Sequence, residues 1–265
     1  MAYLKSATRD STLHLPRILC LHGGGTNARI FRAQCRAISA ELAKDFRLVF
    51  AEADFLSDAG PDVLSVYKDW GTFKRWLRWL PSHPNPGPKA IVDQLDQSLE
   101  DAMMLDDMHG ATGDWIGLLG FSQGAKVCAS LLYRQQIQEQ QYGRDSASTN
   151  FRFGVLLAGR APLVCLDPEA ESDLCLPDAS QITDVKDSKR PDLYNSGNLL
   201  RLPTLHVHGT DDPGLNLHRQ LFEEFCEPGS RKLIVWDGDH RLPLKRDPVS
   251  RVAHEIRDLA RLNVV

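Results

Sequence analysis

Six short apolar runs, separated by segments of helical periodicity, restrict this chain to a narrow set of folds. The runs cover 17–21, 46–51, 115–121, 153–158, 204–208 and 232–236. Each is almost continuously apolar, as expected of strands buried on both faces. After the first, Ile30, Phe31, Gln34, Cys35, Ile38 and Leu42 recur at helical spacing and predict a helix over 28–44, with Asn27 as its N-cap. Ile91, Leu95, Leu99 and Met103 fall four apart and predict a second helix over 91–108. Further helices are expected from Gln123 to about Glu139, over 215–225 and over 249–262. Such alternation specifies an α/β fold, a mostly parallel central sheet with helices on both faces. No repeat or linker divides the 265 residues, so 1–265 reads as one domain. Two stretches interrupt the alternation. One, 53–90, holds Gly60-Pro61 and the prolines Pro81, Pro84, Pro86 and Pro88; the other, 159–202, is polar and weakly periodic. Both are expected to be loop or lid elaborations on the core.

Charge and composition exclude several classes. With 31 basic and 35 acidic residues the net charge is −4, and no basic block or acidic tail is present, so nucleic acid is not an expected partner. No apolar run approaches the roughly 20 residues of a membrane-spanning helix. The start of the chain, 1–16, is polar and lacks the apolar core of a signal peptide. Six cysteines (Cys20, Cys35, Cys128, Cys165, Cys175, Cys226) lie scattered with no metal-ligand spacing. Reduced thiols in a cytoplasmic protein are the expectation.

The chemistry is concentrated at Gly120-Phe121-Ser122-Gln123-Gly124, a G-x-S-x-G between an apolar strand and a helix. A sharp strand-to-helix turn forces the central serine into strained backbone geometry, and only small flanking residues leave room for it. The turn presents the hydroxyl at the sheet edge and places the helix N-terminus near a developing oxyanion.

A serine hydroxyl needs a base to act as a nucleophile. Of the nine histidines, His240 follows a strand directly and falls on the same sheet edge as Ser122. His22 precedes the serine, His206 and His208 lie in or at the end of a strand, and His218 and His254 fall on expected helices. The acid should follow the strand at 204–208, where Asp211 and Asp212 both qualify. Asp212 has the favoured G-x-x-D spacing, while Asp211 suits the turn before Pro213. Backbone N–H groups of Gln123, after the nucleophile, and of Gly24, in His22-Gly23-Gly24-Gly25, supply an oxyanion hole. A phosphate-cradling loop is disfavoured, since no G-K-[ST] or G-x-G-x-x-G is present. The series Tyr67, Trp70, Phe73, Trp76 and Trp79 is either a helix packed on the core or the aromatic wall of an acyl pocket.

These residues resemble the fungal serine hydrolase family of the α/β-hydrolases. The likeness runs through Leu19-Cys20-Leu21-His22-Gly23, Glu52-Ala53-Asp54, Ala59-Gly60-Pro61, 115–125, 203–212 and His240-Arg241-Leu242-Pro243. It is greatest to stand-alone thioesterases that serve fungal polyketide synthases. It departs at Gly238-Asp239, where many relatives have Gly-Gly, and over 163–200. The resemblance implies the triad Ser122, Asp212 and His240, no metal or organic cofactor, and an acyl ester or thioester substrate, with an acyl carrier protein as partner. A general carboxylesterase uses the same residues, and a non-catalytic ligand-binding relative would keep only the fold.

Overall fold

The computed structural model describes residues 10–61, 63–144, 147–167, 176–183 and 199–262. The six apolar runs become strands β1 (Arg17–Leu21), β2 (Arg47–Ala51), β5 (Trp115–Phe121), β6 (Phe153–Leu157), β7 (Thr204–Gly209) and β8 (Arg231–Trp236). Between β2 and β5 lies a small antiparallel pair, β3 (Phe55–Leu56) and β4 (Lys74–Arg75). The six form one sheet in the order β2-β1-β5-β6-β7-β8, parallel at every pairing. Successive side chains of a strand point to opposite faces, and the core divides accordingly. Leu19, Leu21, Leu118 and Leu156 face one layer, while Ile18, Cys20, Leu119 and Val155 face the other.

Helices cover both faces. The first layer receives α4 (Pro88–Met108) and α5 (Gln123–Tyr142); the second receives α1 (Ala28–Gln34), α2 (Arg36–Leu42) and α7 (Arg246–Leu262). The single helix expected over 28–44 is two. Cys35, at ψ 0° and fully buried, bends the chain so that Phe31 and Ile38 both reach the core. Asn27 caps α1 as expected, its side chain accepting from the Ile30 N–H at 2.8 Å. α4 begins at Pro88, whose missing N–H is harmless at the first helical position. The helix expected over 215–225 is α6 (Leu215–Gln220) followed by a wider π turn, Leu221–Phe225. The elaboration at 53–90 holds β3, β4, α3 (Val63–Tyr67) and a 3₁₀ turn at Lys68–Trp70. Much of 159–202, Cys175 included, lies outside the described residues. Among those described, no helix is long and apolar enough to cross a membrane.

The strand order positions the site. β1 lies between β2 and β5, so the connections leaving β1 and β5 diverge. A crevice opens beyond their C-terminal ends, the usual ligand position on such a sheet. His22–Gly25 and Ser122 lie on those two connections.

Candidate active site

Ser122 joins β5 to α5 with φ 52° and ψ −114°, a left-handed backbone that a non-glycine residue adopts only under strain. Its N–H donates to Leu157 O at 2.9 Å. Crowding explains the flanking glycines. A Cβ on Gly120 would lie 2.4 Å from Gly124 O, and one on Gly124 would lie 2.1 Å from Leu21 O.

The turns after β7 and β8 bring two more residues to this point. His240 Nε2 is 2.9 Å from Ser122 Oγ, and its Nδ1 is 2.6 Å from Asp212 Oδ2. The Asp212 side chain is fully buried, while that of His240 is 27% exposed toward the cleft. Gly214 N–H donates to the other carboxylate oxygen at 2.7 Å. Burial pushes the Asp212 carboxyl upward, but the hydrogen bond and charge of His240 outweigh it and hold the group below its ordinary value. Asp211 is exposed and serves the turn, its N–H donating to Gly238 O. Asp239 turns outward to Arg241, 3.4 Å away.

The remaining histidines have other surroundings. His22 is buried and braces the first loop, with Nε2 accepting from Ala53 N–H at 3.2 Å. His254 lies on α7 beside Asp258. His206, His208 and His218 form a buried row behind the acid, ring centroids 6.0 and 5.5 Å apart, and His218 lies 6.0 Å from the His240 ring. Burial drives His208 down to about 4 and His218 to about 3, so the row is uncharged at neutral pH. Sequence spacing did not single out His218, because its neighbours come from a different strand and turn.

Gly24 lies against Gln123, the residue after the serine, and both line its cleft. A Cβ on Gly24 would stand 3.2 Å from the Gln123 side chain. Neither N–H is engaged by another described group. The Gln123 side chain fastens the 76–77 segment, accepting from Trp76 N–H at 2.8 Å and Leu77 N–H at 3.2 Å and donating to Leu77 O at 3.0 Å.

From Ser122 a cleft of about 400 Å³ extends past Val63, Tyr67, Leu77, Trp79 and Leu242. The aromatic series is therefore not one helix. Tyr67 and Trp79 face the cleft, whereas Trp76 is core, 2% exposed, with Nε1 donating to His22 O at 2.8 Å. Trp70 carries Arg29 over its ring at 4.2 Å. A hydroxyl hydrogen-bonded to an imidazole, itself held by a buried carboxylate, at a cleft that Gly24 and Gln123 also line, is equipped for acyl transfer.

A parallel α/β sheet with a strained serine at the strand-to-helix turn, linked through histidine to a buried aspartate, defines an α/β-hydrolase. The fold is shared with the crystal structure of esterase PE8, at TM-score 0.52 and 18% identity over 93% of each chain. Within that class the chain belongs to the serine hydrolase (FSH1) family, whose pattern matches residues 11–252. It is 62% identical to esterase claE of Penicillium crustosum over 95% of both chains. It is 61% identical to esterase citA of Monascus ruber over 95% of this chain and 94% of that protein. The chain is accordingly a serine hydrolase of esterase type.

Proposed function

We propose that this enzyme is a thioesterase that releases a polyketide acyl chain from an acyl carrier protein, acting as one domain in the cytoplasm. Ser122 is the nucleophile, His240 the general base and Asp212 the acid that orients it. Ser122 Oγ attacks the thioester carbonyl, a carbon–oxygen bond forms, and the hydroxyl proton passes to His240 Nε2. The N–H groups of Gly24 and Gln123 hold the oxyanion. The carbon–sulfur bond then breaks, His240 returns the proton to the departing thiolate, and the acyl chain remains on Ser122. Water, deprotonated by His240, cleaves that ester and restores the serine, leaving a carboxylic acid.

The observation that carries this reading is the cleft, which is largely apolar and includes Ser122 in its lining. Arg36, Arg78 and Arg241 stand on it, and among the described residues no Asp or Glu lines it. That polarity suits the phosphate of a pantetheine arm. Buried thiols at Cys20, Cys35, Cys128 and Cys226 accord with a reducing compartment. A second reading, a carboxylesterase for small soluble esters, draws support from the esterase names of its relatives.

Turnover of acyl thioesters and p-nitrophenyl esters by wild type and Ser122→Ala tests both readings. Preference for long thioesters with a dead alanine variant supports the thioesterase. Preference for short esters supports the carboxylesterase, and undiminished activity of Ser122→Ala overturns the assignment of the nucleophile.

A further inference from the structure

His218 is fully buried, yet neither of its ring nitrogens has a hydrogen-bond partner among the described residues. Its Nε2 lies 3.8 Å from Asp212 Oδ1. That separation is too long for a hydrogen bond. It is close to the about 3.4 Å that two ligands keep across a tetrahedral zinc with bonds of about 2.1 Å. Across the same carboxylate stands His240 Nδ1, and one ligand atom from each of the three residues lies within 4.8 Å of the others. Two imidazole nitrogens and a carboxylate oxygen are a donor set suited to zinc and its first-row neighbours.

We propose that Asp212, His218 and His240 form an inhibitory site for a divalent cation of the zinc type. The ion takes the place of the hydrogen on His240 Nδ1. Bonds form from the metal to His240 Nδ1, His218 Nε2 and Asp212, and the Asp212–His240 hydrogen bond breaks. The displaced proton moves through solvent to His240 Nε2, so no proton is consumed and nothing is oxidised or reduced. With Nε2 protonated, the imidazole can no longer accept the Ser122 proton, and the enzyme is off. The other ring nitrogen of His218 lacks, among the described residues, the supporting hydrogen-bond partner that usually strengthens metal binding by about 10- to 100-fold. Micromolar, reversible binding is therefore expected, as befits a switch.

The test pairs inhibition with binding. Ester hydrolysis is followed in chelator-free buffer as zinc chloride is added, then EDTA. Zinc is also titrated calorimetrically into Ser122→Ala, where binding is read whether or not the assigned substrate is right. Expected are inhibition at micromolar zinc, reversal by EDTA, no effect of magnesium at the same concentrations, and one zinc per chain in Ser122→Ala. His218→Phe should weaken zinc at least about tenfold, each rate being referred to the variant's own metal-free value. His218→Asn serves if the phenylalanine variant does not fold. Zinc binding unaltered by either substitution, or no binding by Ser122→Ala, overturns the proposal.

Discussion

At the floor of the cleft, Ser122, His240 and Asp212 stand on turns that each leave a parallel strand, and every contact between them is a hydrogen bond of 2.6 to 2.9 Å. At its wall, Val63, Tyr67, Leu77 and Trp79 come from a stretch whose regular structure is one short strand pair, a five-residue helix and a 3₁₀ turn. Beside that wall, Trp79 Nε1, His83 Nε2 and two nitrogens of the buried Arg75 have no partner among the described residues. The floor inherits its geometry from strand register, which leaves no freedom of a residue either way. The wall is fixed by side-chain packing and a few tethers, so its shape can change without moving the reacting atoms. Chemistry and specificity are thus carried by separable materials.

Four measurements would break or sharpen that contrast. Asp212→Asn strikes the floor alone and should lower kcat by about 10⁴-fold while the protein still folds, because the asparagine no longer enforces the tautomer of His240. A loss below tenfold in steady-state kinetics would mean that the floor is not built as described. Trp76→Ala strikes the junction of wall and core. Removing this buried ring should destabilise the protein by about 3–5 kcal/mol in urea unfolding. An unchanged midpoint would show that the wall stands without its anchor.

Trp79→Ala strikes the wall alone. It should lower kcat/KM for long acyl chains by about 10- to 100-fold while changing acetyl esters little, in line with about 1–3 kcal/mol per lost apolar contact. Equal losses for both would tie the wall to the chemistry. The smallest effect concerns the buried histidine row. His208 and His218 titrate at about 4 and about 3 when folded, against an ordinary value of 6.5. Between those values the unfolded chain binds more protons, so stability is complete above pH 6.5 and is lost as pH falls toward 4. Each histidine contributes at most about 1.4 kcal/mol per pH unit. Melting temperature followed from pH 7 to 4 should fall, and His208→Phe should fall less steeply; parallel profiles would remove His208 from the account.

The floor was largely legible in the sequence. G-x-S-x-G declares itself locally because steric crowding demands both glycines within five residues, and the apolar runs before His240 and Asp212 put them on the same sheet edge. Choosing between Asp212 and Asp211 rested on spacing; in the structure Asp212 meets the imidazole while Asp211 holds a turn. The wall was not legible, for want of a period. The spacing of Tyr67 to Trp79 resembles that of a helix, but Gly71 and the antiparallel pairing of Lys74–Arg75 divide it. The place of His218 was equally hidden, since His208 on β7, Asp212 on the turn after it and His240 on the turn after β8 gather around it only in the folded sheet. Helix breaks at Cys35 and at Leu221–Phe225 follow from tertiary burial, which overrides local propensity.

Gln123 occupies two jobs at once. Its backbone N–H is the one proposed for the oxyanion, and its amide grips one N–H from Trp76 and both the N–H and C=O of Leu77. Anyone grafting a foreign substrate-binding segment onto this scaffold must therefore supply the same triplet of main-chain groups at the same spot. A graft lacking it would free the glutamine to swing, and the loosened neighbour of the nucleophile would register as slower turnover even on substrates too small to touch the graft.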